Sequence, residues 1–96
     1  MTDDKAPSLT NLRQEIDAVD AALVALLAKR FGLVKQVAIY KKRHALPAAI
    51  PERIEEVVER VCRAAAAQGF PPETADKLWR LLIADMIVFE EKQLAP

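Results

Sequence analysis

The chain has 96 residues, of which 52% are hydrophobic, and this length predicts one small domain with an apolar core. Its 14 basic and 14 acidic residues balance, so the basic excess typical of nucleic-acid-binding proteins is absent. There is no apolar run long enough to span a membrane, no secretory signal pattern and no cysteine besides Cys62, which favours a reduced cytoplasm and excludes a disulfide framework.

A long first helix is predicted to follow a short polar tail. Residues 1–8 are expected to be a disordered tail and residues 9–96 a single helical domain, with Ser8 or Thr10 capping a helix that continues to about Arg43. Positions 12, 16, 19, 23, 26, 30, 33 and 37 follow one another in alternating steps of four and three, and all but position 30 are apolar: Leu12, Ile16, Val19, Leu23, Leu26, Leu33 and Val37. This spacing is typical of a seam that packs against other helices.

The length of this helix predicts a homodimer. About 33 helical residues extend about 50 Å, whereas a compact chain of this size has a radius of gyration near 12 Å. Two shorter helices of the same chain cannot cover such a stripe. We therefore expect a second copy to cover it in an intertwined homodimer.

Arg30 occupies a position of the apolar stripe. Burying an unpaired guanidinium there would cost far more than a leucine would contribute, so an anion should meet it. That anion is either a carboxylate of the protein, in a structural ion pair, or a carboxylate of a ligand.

Two shorter helices follow the loop that contains Pro47. Pro51 suits the first turn of a second helix, and Gly69 suits its end. The second helix has one apolar face, formed by Ile54, Val57, Val58, Val61 and Ala65. Pro71 and Pro72 open a third helix that runs to about Gln93. Its apolar stripe comprises Leu78, Trp79, Leu82, Ile83, Met86 and Phe89. The whole pattern predicts an all-α fold with three helices.

Several charged residues could form one anion site. Arg30 and Lys41 are close to three helical turns apart, about 16 Å, on nearly the same face, with Val34 and Val37 between them. Arg53 follows the loop after Lys41 and could reach the same pocket.

Two more charged residues extend this set. Glu90 continues the stripe of the third helix one turn beyond Met86. Arg13 lies about 25 Å from Arg30 along the first helix, so it could join Arg30 only from an antiparallel second copy.

Structural interpretations remain open for each of these residues. Arg13 could pair with Asp17, Lys41 could be an exposed cation of the Lys-Lys-Arg run, and Glu90 could lie at a solvated helix end. The sequence contains no Ser/His/Asp set, no Cys/His pair and no cluster of metal ligands. Nucleophilic and metal-assisted chemistry therefore have no candidates, and no cofactor is expected.

The chain resembles the all-α chorismate mutases and the related isochorismate pyruvate lyases. The resemblance covers about residues 12–94 and rests on LRQEIDAVDAALVALLAKR, the lysine of VAIYKKR, the PERI segment and LWRLLIADMIVFEE. It implies three helices per chain, an intertwined dimer and two active sites. It also implies that Arg13 from the partner chain, Arg30 and Arg53 bind the substrate carboxylates and hydroxyl groups, and that Lys41 and Glu90 face the ether oxygen of the substrate. The remaining substrate-binding residues are expected to be the apolar Val37, Ile50, Ile54 and Met86.

The expected chemistry agrees with this set of residues. Chorismate and isochorismate are dianions, and their pericyclic reactions need no general base. An enzyme has to hold both carboxylates in a reactive conformer and to place donors where charge grows on the ether oxygen. Arginine suits the first task because its fork binds carboxylates through two hydrogen bonds, and Lys41 suits the second.

Three departures from the mutase pattern concern substrate choice. Mutases of this class usually have acidic residues where this chain has Ile50 and Ile54, and the lyases have apolar residues there. Both bacterial groups commonly have Gln at the position of Glu90, whose carboxylate would repel an ether oxygen unless it is protonated. We therefore expect an isochorismate pyruvate lyase that forms salicylate and pyruvate. The alternatives are a chorismate mutase, an amino-chorismate mutase and a helical dimerisation or regulatory module without turnover.

Overall fold

A computed structural model of the protein describes residues 8–96 and contains three α-helices. They are α1 (Leu9–Arg43), α2 (Pro51–Ala67) and α3 (Pro72–Leu94). The described residues contain no β-strand. The predicted all-α fold with one long and two shorter helices is therefore confirmed. None of the helices in residues 8–96 is both long and apolar enough to cross a membrane.

Most helix ends lie where the capping residues predict them. The Ser8 hydroxyl accepts a hydrogen bond of 3.0 Å from the backbone N–H of Asn11, so Ser8 caps α1 and Thr10 lies inside it. Pro51 is the first residue of α2. Residues 1–7 of the predicted tail lie outside the described part of the chain.

Gly69 ends α2 through a backbone turn. Its φ of 77° is in the left-handed region, and the N–H of Phe70 donates to the carbonyl of Ala65 at 2.9 Å. This six-to-one hydrogen bond is the Schellman motif, in which glycine avoids the steric cost of a Cβ atom.

The end of α1 has the same motif without a glycine. The N–H of Leu46 donates to the carbonyl of Lys41 at 2.9 Å, and Ala45 between them has a φ of 55°. The sequence offers no signal for this turn because alanine rarely adopts positive φ. The motif turns the chain sharply just after Lys41, into the loop of residues 44–50.

The chain divides into two compact units, one that ends at Leu33 and one that runs from Val34 to Pro96. The described part of the first unit is the N-terminal part of α1. Its apolar stripe is exposed in the single chain: Leu12, Ile16, Val19, Leu23 and Leu26 are between 42% and 63% accessible. The residues of the predicted stripe are therefore exposed.

In the second unit, α2 packs against α3. The predicted apolar face of α2 is turned inward, since Val58 and Ala65 are buried and Ile54, Val57 and Val61 are half-buried. Most of the predicted α3 stripe is half-buried as well. Leu78 is the exception and is exposed, because it lies about 80° around the helix from Met86 and so at the edge of the inward face.

Candidate functional site

Lys41 and Glu90 form a buried ion pair in the second unit. Lys41 lies in the last turn of α1 and Glu90 near the end of α3, and Lys41 Nζ is 2.8 Å from Glu90 Oε1. Their side chains are only 12% and 8% accessible. The sequence allowed both residues to be solvated surface charges, and the structure shows that neither of them is. Such a pair is costly to desolvate, which makes it a candidate for function rather than for stability.

A backbone carbonyl completes the surroundings of the lysine. Lys41 Nζ donates a hydrogen bond of 2.7 Å to the carbonyl oxygen of Ala48, which is buried. The loop of residues 44–50 thus folds back onto the end of α1, where Ala48 contacts Lys41. Sequence reasoning missed this contact, because a backbone acceptor carries no signature in the side chains.

The glutamate remains incompletely satisfied. Although Glu90 Oε1 lies within ion-pair distance of Lys41, it receives no hydrogen bond of regular geometry from any described residue, and it is fully buried. A buried carboxylate oxygen without a hydrogen bond is rare in proteins. It marks a place where a proton or the donor of another molecule would be stabilised.

The apolar residues predicted for the site lie on all three helices. Ile50 precedes α2 as its N-cap, Ile54 lies in the first turn of α2, and both are half-buried. Met86 is half-buried one turn before Glu90 on α3. Val37 lies one turn before Lys41 on α1 and is 44% exposed. The first turn of α2 therefore presents the half-buried Ile54, a side chain that can form no hydrogen bond.

Arg53 lies in the same turn of α2 and is engaged by a neighbour. Its guanidinium forms a hydrogen bond and an ion pair with Glu56, and Arg60 lies 3.6 Å from the same carboxylate. The side chains of Arg53 and Glu56 are more than half exposed. An exposed pair of this kind is weak, so Arg53 can exchange Glu56 for another carboxylate.

Arg13 and Arg30 belong to the first unit. Arg13 is exposed and Arg30 is half-buried. Within residues 8–96, no carboxylate lies within 4.0 Å of either guanidinium, so the pairing of Arg13 with Asp17 is not observed. For Arg30, residues 8–96 supply no structural ion pair.

A second polar cluster was not foreseen from the sequence. Arg80 on α3 binds Glu55 on α2 through two parallel hydrogen bonds of 2.9 Å and also binds Asp76 at 3.0 Å. The hydrogen bonds and charge of Arg80 lower the pKa of Glu55, so this pair is lost only as the pH falls through that lowered pKa. The spacing of Arg80 and Asp76 predicts their contact, whereas the contact with Glu55 depends on how α2 and α3 pack.

Comparison with known proteins supports the resemblance. Residues 12–91 match the family model described as chorismate mutase type II. The chain is also 34% identical over 83 residues to the 4-amino-4-deoxychorismate mutase of Streptomyces venezuelae, an alignment that covers 86% of this chain and 81% of the relative.

Other relatives have related names. The chain is 39% identical over 82 residues to the T-protein of Enterobacter agglomerans, which covers 85% of this chain but only 22% of that longer protein. It is 28% identical over 75 residues to the chorismate mutase of Methanocaldococcus jannaschii, covering 78% of this chain and 76% of the relative. A match over most of the chain, with the all-α fold and the buried Lys41–Glu90 pair, leads to one conclusion: the chain belongs to the chorismate mutase type II family.

Proposed function

We propose that this protein is a chorismate mutase that rearranges chorismate to prephenate, with Lys41 and Glu90 at the ether oxygen. The observation that carries the proposal is the buried Lys41–Glu90 pair, with its 2.8 Å separation, at the two positions that the family resemblance assigns to this task. The names of the relatives favour rearrangement over the elimination that we expected from the apolar Ile50 and Ile54.

The geometry around Lys41 suits the electronic demand of the reaction. The bond from the ether oxygen to the ring breaks while a carbon–carbon bond forms, and negative charge grows on that oxygen. An ammonium group has three N–H donors, of which Lys41 directs one to the Ala48 carbonyl, while the Glu90 carboxylate 2.8 Å away balances its charge. A further donor is available for the ether oxygen, in a site where low solvent access strengthens the interaction.

The arginines are proposed to bind the two carboxylates of the substrate. Arg53 is held only by an exposed pair with Glu56, so a substrate carboxylate can replace that partner at little cost. Arg30 is half-buried without a carboxylate partner in residues 8–96. Helical spacing gives it nearly the same direction as Lys41, three turns earlier.

Two observations on the single chain support a homodimer with composite sites. The stripe of α1 is exposed, and the buried hydrophobic residues of the described chain are four alanines and one valine. Such small side chains remove little apolar area from water, so a lone chain gains little hydrophobic stabilisation. A second copy would cover the stripe and would bring its Arg13 to the site, as the family resemblance implies.

A second candidate substrate is 4-amino-4-deoxychorismate. It is favoured by the relative from Streptomyces venezuelae and by a second relative of the same name from Streptomyces pristinaespiralis, 31% identical over 87 residues. Both substrates share the enolpyruvyl ether and the two carboxylates, so Lys41, Glu90 and the arginines would act alike. The difference lies at the ring substituent, which isoleucine at position 54 cannot bind through a hydrogen bond.

One assay separates these possibilities. The purified protein is offered chorismate, 4-amino-4-deoxychorismate and isochorismate separately, and the rearranged products and salicylate are quantified. We expect prephenate formation from chorismate at the highest kcat/KM. Preferred turnover of the amino substrate would support the second candidate. Salicylate as the main product would support an isochorismate pyruvate lyase instead. If no substrate is turned over, the protein has no catalytic role of this kind.

A further inference from the structure

Arg80 joins the two shorter helices at the end where α2 begins. Its Nη1 and Nη2 bind the two carboxylate oxygens of Glu55, each at 2.9 Å, and its Nε binds Asp76 at 3.0 Å. Within residues 8–96, this is the one ion pair that links α2 to α3. The planar guanidinium is therefore oriented on α3 by one carboxylate while it holds another on α2.

The first turn of α2 needs such an external contact. Its N-cap is Ile50, which provides no side-chain hydrogen bond to the free N–H groups of the turn. The turn is closed only by backbone bonds from the N–H groups of Arg53 and Ile54 to the carbonyl of Ile50. Since this turn directly follows a loop, its direction depends on what binds it from outside.

Glu55 directly follows Arg53 and Ile54, the two residues of this turn that are proposed to face the substrate. The Arg80–Glu55 pair is also exposed, with Arg80 44% and Glu55 66% accessible, but its two parallel hydrogen bonds distinguish it from the contact of Arg53 with Glu56. Fixing the Glu55 carboxylate at two points restricts both the position and the rotation of the turn that bears Arg53 and Ile54. The other paired carboxylates of α2, Glu56 and Glu59, bind arginines of the same helix and cannot orient α2 against α3. The hydrogen bonds between the two side chains lower the pKa of Glu55 and raise that of Arg80.

We propose that Arg80 is a positioning residue that holds the first turn of α2, through Glu55, so that Arg53 is presented to the substrate carboxylate. This inference rests on the proposed function for the role of Arg53. It does not place Arg80 in contact with the substrate. A loosened turn would weaken substrate binding, whereas the chemical step at Lys41 and Glu90 would continue at its normal rate once substrate is bound.

The test compares Arg80→Gln and Glu55→Gln with the matched control Arg63→Gln. Arg63 pairs with Glu59 at 2.8 Å on the exposed surface of α2 and has no contact with α3 among its described ion pairs. Backbone hydrogen exchange is measured at Arg53 and Ile54, and KM and kcat are measured with chorismate. Arg80→Lys keeps the positive charge but cannot form the two parallel hydrogen bonds to Glu55. It replaces Arg80→Gln in the comparison if that variant does not fold.

Backbone hydrogen exchange at Arg53 and Ile54 is expected to be faster in Arg80→Gln and in Glu55→Gln than in the wild-type protein. In the control Arg63→Gln it should be unchanged. The KM should rise about 3- to 10-fold, while kcat should stay within about 2-fold of the wild-type value. The reason is that a displaced Arg53 weakens substrate binding but does not change the chemical step. The double variant Arg80→Gln/Glu55→Gln should be no worse than either single variant, because both remove the same contact. A general loss of stability would not produce this split or this non-additivity.

Two results would overturn the proposal. Unchanged exchange at Arg53 and Ile54 would show that the fork does not hold the turn, and faster exchange with an unchanged KM would show that the turn does not position Arg53. If the wild-type protein turns over no chorismate-type dianion, the proposed function is wrong. The exchange rates would then still decide whether Arg80 holds α2, so the two failures are distinguishable.

Discussion

The role that Glu90 can play in the reaction depends on whether its carboxyl group is protonated. As a neutral acid it can donate a hydrogen bond to the ether oxygen, and Lys41 beside it remains a second donor. As a carboxylate it can only accept, and it neutralises the charge of the lysine 2.8 Å away. With a proton on Glu90, the site offers two hydrogen-bond donors. Without that proton, the site offers Lys41 alone, and the carboxylate of Glu90 neutralises its charge.

We expect Glu90 to make the activity of the wild-type protein fall as pH rises. The sign follows because only the protonated acid donates. Glu90→Gln supplies an amide donor at every pH, so it should flatten the profile and keep or raise activity near neutrality. The measurement is kcat/KM from acid to neutral pH for both proteins.

The neighbouring Glu91→Gln is the matched control, because Glu91 is exposed on the same helix. Its profile should follow that of the wild type. Coincident profiles for the wild type and Glu90→Gln would remove Glu90 from the mechanism.

Position 54 should determine how the ring hydroxyl of the substrate is recognised. Ile54→Glu introduces an acceptor in the first turn of α2, where Ile54 is half-buried. A hydrogen bond to a charged group contributes about 1.5–3 kcal/mol, or about 10- to 150-fold in kcat/KM. We expect rearrangement of chorismate to rise and any salicylate formation to fall, measured with both substrates. If the chorismate rate does not change, Ile54 does not face the ring.

At the scale of the helices, two ends use the same turn with different residues. Gly69 at the end of α2 and Ala45 at the end of α1 both have positive φ, 77° and 55°. Glycine adopts this conformation freely, whereas alanine is strained in it. The end of α1 is therefore a point of strain immediately before the loop that returns Ala48 to Lys41.

Ala45→Gly should raise the free energy of unfolding by up to about 1 kcal/mol, because it relieves that strain. The reciprocal change, Gly69→Ala, should lower it by about the same amount. A Cβ atom at position 69 would meet nothing within 4 Å, so its cost is one of backbone conformation alone. Both changes are measured by denaturant unfolding, and effects of the same sign at the two positions would contradict the argument.

At the scale of the whole molecule, the proposed function requires two arginines of the first unit to bind the substrate. Arg13 and Arg30 are about 25 Å apart along one helix, too far to share a small molecule within one chain. Neither meets a carboxylate among residues 8–96, and the stripe on which Arg30 lies is exposed. An antiparallel second copy would resolve both observations together.

Mixing Arg13→Ala chains with Arg30→Ala chains should therefore restore activity. Each mixed dimer would contain one intact site and one doubly damaged site, so random mixing should recover about a quarter of the wild-type rate. Mixing Arg30→Ala with Lys41→Ala is the control, since those residues would serve a site from the same chain, and it should recover nothing. Full activity in a stable monomer would sink the idea of composite sites.

Local features of the sequence were sufficient to predict the helices and the candidate charges. The apolar period, Ser8, Pro51 and Gly69 predicted where helices begin or end, because capping and periodicity act between residues a few positions apart. The same period marked Arg30 as a cation on an apolar stripe. The positive φ of Ala45 was missed, because alanine carries no local signal for it.

Only the tertiary structure decided which charged residues meet. From the sequence, Lys41 and Glu90 could equally be solvated surface residues, and their burial follows from how α1 and α3 come together in the second unit. The contact of Arg80 with Glu55 has the same origin. Such contacts join residues far apart in the chain, and they depend on the angle and register of helix packing, which the local pattern does not encode.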